Sequence, residues 1–483
     1  MTGPRTRDHG GLGAGAEPGA TDVSDYATLV ARKGASTTAA GLEASDLAPH
    51  LFPHQADLVR WALRRGRSAI FADTGLGKGL MLLEWASHVS AYVGRVLILA
   101  PLAVGPQLAA EAKRFGVDAA YCRTDTDDRI TITNYEMLQH FDASQFGGVV
   151  LDESSILKSF DGKTKQRLIA AFARTPFRLC CTATPAPNDF TELGNHSEFL
   201  GLKTRAEMLA EFFVHDGGST QDWRIKGHAL TPFWRWVASW GAVVKMPSDL
   251  GYDDGGFALP PLRMVEHVVP STDHDHRASG MLFAMEARTL QEQRAVRRGT
   301  IDSRVQRTCE LIRKSSRDQF VVWCELNDEQ DALADALGKK LCVSIAGSTD
   351  DDVKIASHER WLTGRVRVLV SKPAIFGFGL NWQHCHRVVF IGASHSYERT
   401  YQSIRRCWRF GQQHEVTVEL VRSDLEAAIV ENYSRKEADA AKMAAEMTVH
   451  VGAAVRAEVK GLSREWNPYQ PATAMRLPAW SNE

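Results

Sequence analysis

The chain predicts an α/β fold: two parallel-sheet domains, the first carrying a Trp-rich inserted helical segment. Three observations predict it. Short, β-rich apolar runs bounded by helical stretches recur from about residue 68 to 181. A second series of the same kind begins near residue 300. Between them lies a stretch with Trp223, Trp234, Trp236 and Trp240 and Gly- and Pro-rich pieces, where that rhythm fails. Strands that alternate with helices pair in parallel, because each return crossing needs a connection long enough to hold a helix.

In the first series, residues 68–72, 96–100, 130–133, 148–151 and 177–181 read as strands, and 80–88 as a helix. In the second, the strands are 319–324, 366–370, 387–391 and 415–420. An Ala/Met/Glu-rich helix follows from about residue 437. The expected organisation is a flexible tail over 1–45, a first domain over 46–260 with the insertion, and a basic helical linker over 261–302. A second domain over 303–440 and a C-terminal helix and tail over 441–483 complete it.

At 483 residues, 44% hydrophobic and 24% charged, the chain has globular composition and room for about two to four domains. A formal net charge of -1 gives no global basic field, so any nucleic-acid contact must come from local patches. The eight cysteines include no C-x-x-C pair and several lie in apolar runs, which predicts reduced, buried thiols and a cytoplasmic location. No stretch approaches the roughly 20 apolar residues of a membrane helix, and the N-terminus lacks the apolar core of a signal peptide.

After the first strand comes Asp73-Thr74-Gly75-Leu76-Gly77-Lys78-Gly79. Small residues let successive N–H groups curl around an anion, a lysine reaches the outer phosphates, and the next helix aims its positive end there. The pattern fits a phosphate loop for ATP; the plainer alternative is a glycine-rich turn with a surface lysine. Gly79 stands where such a loop normally has the Ser or Thr that binds Mg²⁺. The metal would then keep an extra water or use Thr74, magnesium affinity and turnover would fall, and a Gly79→Thr chain would hydrolyse faster. The fourth strand ends in Asp152-Glu153. Asp152 suits a metal and Glu153 an attacking water; the alternative is a polar strand end with a helix cap.

Taken in order, these segments resemble the motifs of SNF2-like helicases of superfamily 2, in the compact form found in phages and prophages. Residues 73–78 resemble motif I, D-E-M-G-L-G-K, and Asp152-Glu153-Ser154-Ser155-Ile156-Leu157-Lys158 resembles motif II, D-E-A-H-x-x-K. Thr182-Ala183-Thr184-Pro185 resembles motif III, Leu99-Ala100-Pro101 motif Ia, and Thr133-Asn134-Tyr135-Glu136 the T-x-Y-E segment. Pro53-His54-Gln55 resembles the segment whose glutamine reads adenine. Gly377-Phe378-Gly379-Leu380-Asn381 resembles motif V. The run from Gln402 to Gln412 resembles motif VI, Q-A-x-D-R-A-H-R-I-G-Q, with Arg405 in place of the usual Asp.

The resemblance implies two RecA-like domains closing on one ATP. Gln55, residues 73–79 and Gly379 would bind the nucleotide, Asp152 would hold Mg²⁺, and Lys78 and Glu153 would be catalytic. Arg406 and Arg409 would cross from the second domain as arginine fingers; the alternative for these arginines is a basic helix face. Implied too are DNA as partner, double-stranded and read without base specificity, and phage or host replication or recombination proteins.

Lys158, Thr184 and Lys372 are the candidate contacts with nucleic acid, together with Arg297 and Arg298 of a cationic stretch from Arg288 to Arg317. A solvated interdomain helix is the alternative for that stretch. The tryptophans are read either as base-stacking platforms or as core of the insertion. Two rival functions stay open: a hydrolysis-impaired DNA-binding scaffold, and an RNA-dependent helicase.

Overall fold

A computed structural model describes residues 41–102, 104–158, 162–187, 189–215, 223–271, 296–376, 381–394 and 396–459. The motif V glycines, Gly377 and Gly379, lie outside the described residues, as do Arg288 and Arg294.

The first RecA-like domain is built on α1 (Pro53–Arg65), β1 (Arg67–Ala72), α2 (Lys78–Val93), β2 (Val96–Ala100) and α3 (Gly105–Arg114). It continues through β3 (Ala120–Tyr121), β4 (Ile130–Asn134), β5 (Gly148–Asp152), α4 (Lys163–Ala171) and β6 (Phe177–Cys181). The insertion holds α5 (Leu193–Leu200), α6 (Arg205–Phe212), a hairpin of β7 (Phe213–His215) and β8 (Trp223–Ile225), and α7 (Leu230–Ala238). The chain then re-enters the main sheet as β9 (Gly241–Val244), a strand inside the span expected to be a helical insertion.

The seven strands run in the order β3-β4-β2-β5-β6-β1-β9 with parallel pairing throughout. Every residue of β2, β4, β5 and β6 is buried. A sheet covered on both faces needs no polar alternation, so β2 reads as a continuous apolar run, while Thr131, Thr133 and Arg178 of β4 and β6 are buried polar residues. The order puts the tips of β1, β5 and β6 side by side, and the three chemical loops of this domain start there. Trp234 and Trp240 are buried in this core, against Phe233 and Phe71. Core packing therefore replaces base stacking as the account of both.

The second RecA-like domain comprises β10 (Leu262–Val269), α8 (Ile301–Lys314), β11 (Phe320–Trp323), α9 (Asn327–Leu337), β12 (Cys342–Ile345) and α10 (Asp351–Leu362). β13 (Val368–Ser371), α11 (Pro373–Phe376), β14 (Arg387–Ile391), α12 (Tyr397–Ile404) and β15 (Val416–Ser423) follow. Its parallel sheet runs β10-β15-β14-β11-β13-β12. Residues 262–269, read from sequence as the start of a helical linker, instead pair along their whole length with β15.

The last element, α13 (Ala427–Val459), is longer than expected and returns to the first domain. Met447, Val455 and Val459 join the first domain's core. Arg456 donates to the carbonyls of Ser248 and Asp249, each at 3.1 Å. The eight cysteines are free, and all but Cys122 are buried. Among the described residues no helix is long and apolar enough to cross a membrane.

Candidate functional site

The loop after β1 turns through two left-handed glycines, Gly75 at φ 93° and Gly77 at φ 79°. A side chain is strained in that region, and neither position has room for one. A Cβ on Gly75 would stand 3.0 Å from the Phe410 nitrogen, and one on Gly77 would strike the Gln55 amide. Lys78 opens α2, and its Nζ donates to the carbonyl oxygens of Ala72 at 2.9 Å and Asp73 at 3.3 Å. The loop thus presents a helix N-terminus and a lysine to one point, as an anion site requires. Gln55 is buried and already engaged: Nε2 donates to the Leu76 carbonyl at 2.9 Å, and Oε1 accepts from Phe52 N at 3.0 Å. In this structure it braces the loop after β1.

Asp152 ends β5 beside Cys181 of β6. Tyr135 donates its hydroxyl to the Asp152 carbonyl at 2.6 Å. Glu153 has φ 54°, the left-handed value that a glutamate rarely adopts, and among the described residues it is the one non-glycine there. Such a residue costs about 1–3 kcal/mol and is held by its surroundings. Here Thr182 of the motif III segment donates to Glu153 Oε2 at 3.3 Å. Burial, with the adjacent Glu153 carboxylate, pushes the Asp152 carboxyl well above the usual carboxylate range, against the pull of Lys78.

Motif VI comes to this centre from the second domain. Arg406 is buried. Burial and the neighbouring Arg409 lower its guanidinium to about 9, while Glu153 and Asp152 act in the opposite sense. Arg409 is lowered to about 10 by burial and Arg405, with Glu111 opposing. Both stay cationic at neutral pH. Arg405 donates to the Thr74 hydroxyl and, at 2.6 Å, to the Thr74 carbonyl; it also lies 3.1 Å from Asp73 Oδ2. Tyr401 donates to Asp73 Oδ1 at 2.8 Å. In this structure the Thr74 hydroxyl is engaged by Arg405. A Cβ at Gly79 would meet Glu111 Oε2 at 2.8 Å, so a threonine there must displace that carboxylate.

The residues fit a divalent ion. Asp152 is a desolvated carboxyl beside a second carboxyl, a state that a cation relieves. Among the described residues no group of three or more His, Cys, Asp or Glu could hold a metal by itself. Magnesium is commonly held by one or two carboxylates with substrate phosphates and water making up the rest, so the donor set is of the right kind.

The expected nucleic-acid contacts divide. Arg297 is corrected: it is buried, bonded to Glu329 Oε1 at 2.9 Å and to the Ala393 carbonyl at 2.7 Å. Arg304 of the same cationic stretch is also buried and bonds Glu329 Oε1 at 2.7 Å. Helical spacing put both on an interior face, where charge serves packing. Arg298 is exposed. Lys158 pairs with Glu398 of the second domain, and Lys372 with Asn327. The Thr184 nitrogen bonds the Thr182 hydroxyl at 3.1 Å, and its own hydroxyl is buried.

Four participants escaped the sequence reading: Glu111, Tyr401, Thr182 as a brace for Glu153, and Arg405 as a ligand of the loop. The departures at Gly79 and Arg405 were the available signals, because each implies a compensating group elsewhere.

Residues 303–411 match the family model of the helicase conserved C-terminal domain. Comparison with curated proteins finds no match. The matched span starts in α8 and ends at the glycine after Arg409 and Phe410, so it covers the segment that delivers the arginines. The match supports a helicase-type protein of superfamily 2, a class of nucleic-acid-dependent ATPases.

Proposed function

We propose that the chain is an ATP-driven DNA translocase of the SNF2-like kind, acting on double-stranded DNA without base specificity. The observation that carries it is the reach of Arg405, from one sheet domain, to Thr74 and Asp73 of the other. A hydrolytic centre divided between two domains is complete only when they close, which couples chemistry to movement.

In this reading residues 46–260 are the first motor domain, β10 and residues 303–426 make up the second, and α13 follows them. Lys78 and the N–H groups of residues 74–79 bind phosphate, with Gly379 in support. Gln55 leaves the loop to meet the base. Asp152 holds magnesium, which when bound neutralises phosphate charge. Glu153 takes a proton from water, and Arg406 and Arg409 stabilise charge gathering on the transferred phosphoryl group. Arg298, Lys158 and Lys372 serve the DNA backbone. The setting proposed is the cytoplasm of a bacterial or phage-infected cell, with replication or recombination proteins as partners.

One observation favours a second reading, a hydrolysis-impaired scaffold: Gly79 lacks the metal-binding hydroxyl. Phosphate release with and without double-stranded DNA separates the two. The motor reading expects release stimulated by DNA and abolished in Glu153→Gln. No release from the native chain, with or without DNA, sinks it; stimulation by RNA alone moves the assignment to an RNA-dependent helicase.

A further inference from the structure

Gly79 is the second residue of α2, the position from which a phosphate loop normally offers its hydroxyl. The space before it is filled. Glu111 rises from α3, and its Oε2 stands 2.8 Å, its Cδ 3.4 Å, from where a Gly79 Cβ would be; Leu108 Cδ1 closes the side at 3.5 Å. An oxygen from another helix thus lies beside the place where the missing oxygen would begin. A side chain at 79 and the present position of Glu111 exclude each other.

The charges around Glu111 point inward to the same centre. Burial pushes its carboxyl up, and Arg409 and Arg114 pull it back. Its charge also bears on Asp152. It is a partly buried carboxylate, within charge range of Arg409, set against the second residue of the helix that Lys78 opens.

We propose that Glu111 supplies the oxygen that Gly79 cannot, so that Asp152 and Glu111 together are the carboxylates of the magnesium–nucleotide site, an inference that rests on the ATP-dependent reading above. A hard dication accepts a carboxylate in place of a hydroxyl, and two carboxylates with phosphates and water suit magnesium. The exchange accounts for Gly79 without loss of metal. It also makes the arrival of Arg409 and the seating of the metal depend on one side chain.

The test uses the full chain and binding, not turnover. Mn²⁺ is titrated by electron paramagnetic resonance in the presence of a non-hydrolysable ATP analogue. A fluorescent ATP analogue is titrated separately in chelator. Glu111→Gln is expected to bind the fluorescent analogue as the native chain does but to hold Mn²⁺ about tenfold or more weakly. Gly79→Ser combined with Glu111→Ala is expected to regain Mn²⁺ relative to Glu111→Ala alone. Unchanged Mn²⁺ affinity in Glu111→Gln overturns the assignment, as does loss of metal-free nucleotide binding in that variant, which marks a structural role. A native chain that binds no nucleotide overturns the ATP reading itself and this inference with it.

Discussion

Arg405 lies across the phosphate loop, donating to both the hydroxyl and the carbonyl oxygen of Thr74. The SNF2-like pattern has an aspartate at this position. An aspartate would face Asp73, whereas Arg405 pairs with it at 3.1 Å. With Tyr401 on Asp73 and Lys158 on Glu398, the two domains are fastened through polar groups. Hydrogen bonds to a charged group contribute about 1.5–3 kcal/mol each when buried. Arg405→Ala should therefore loosen the nucleotide-free chain. Small-angle X-ray scattering should give a larger radius of gyration for the variant; an identical profile would refute the clasp.

Arg406 is buried, within charge range of Glu153 and Asp152, and is the stronger finger candidate. Arg406→Ala should cut phosphate release by about 10³–10⁵ while nucleotide binding survives, because a finger acts on the transition state. Lys78→Ala should instead lose nucleotide binding. Equal loss of binding in both would assign Arg406 to the ground state.

Glu153 holds a left-handed backbone and crowds Asp152. Asparagine tolerates that backbone and carries no charge. Glu153→Asn should abolish hydrolysis and yet stabilise the first domain by about 1 kcal/mol. Denaturant midpoints compared at equal slope would test this, and a less stable variant counts against stored strain.

Glu329 is buried with Arg297 and Arg304. Burial pushes its carboxyl up, and the two guanidiniums more than reverse this, holding it below the usual glutamate value. The folded state thus keeps this charge at a pH where the unfolded chain protonates it. The stability so gained is present above the ordinary glutamate range and is lost as pH falls through it. Glu329→Gln should flatten that acid slope and cost about 3–5 kcal/mol near neutrality, since it leaves two buried guanidiniums to share Glu426. Thermal melts of both chains from pH 3 to 7 are the measurement; parallel curves would exclude the cluster.

Met447 of α13 is buried in the first domain's core. Met447→Ala should destabilise by about 2–5 kcal/mol, although the residue follows the second domain in sequence. A change confined to the second domain's unfolding transition would contradict this packing.

Much of the site was legible in the sequence because its motifs are local. Residues 73–79 must turn tightly between a strand and a helix, and Asp152-Glu153 must sit at a strand tip. Such demands leave glycines and paired acids at short spacing. The strands around 96–100, 179–181 and 388–391 were legible for a similar reason, since burial on both faces leaves an unbroken apolar run. β10 was not. Its residues alternate between partly buried and exposed as an outer strand does, and only its neighbour β15 makes it part of a sheet.

By itself, then, the sequence determined the α/β class, the two series of strands and the chemistry offered at each loop. Tertiary structure alone decided which charges face which. Arg297 and Arg304 look like a cationic surface when written out, and become interior because Glu329 arrives from another helix. Glu111 looks like an ordinary helical glutamate, and becomes part of the site because α3 packs where Gly79 leaves a gap. Spacing along a chain specifies one element's own faces; which foreign side chain fills the space opposite is settled only when the elements pack.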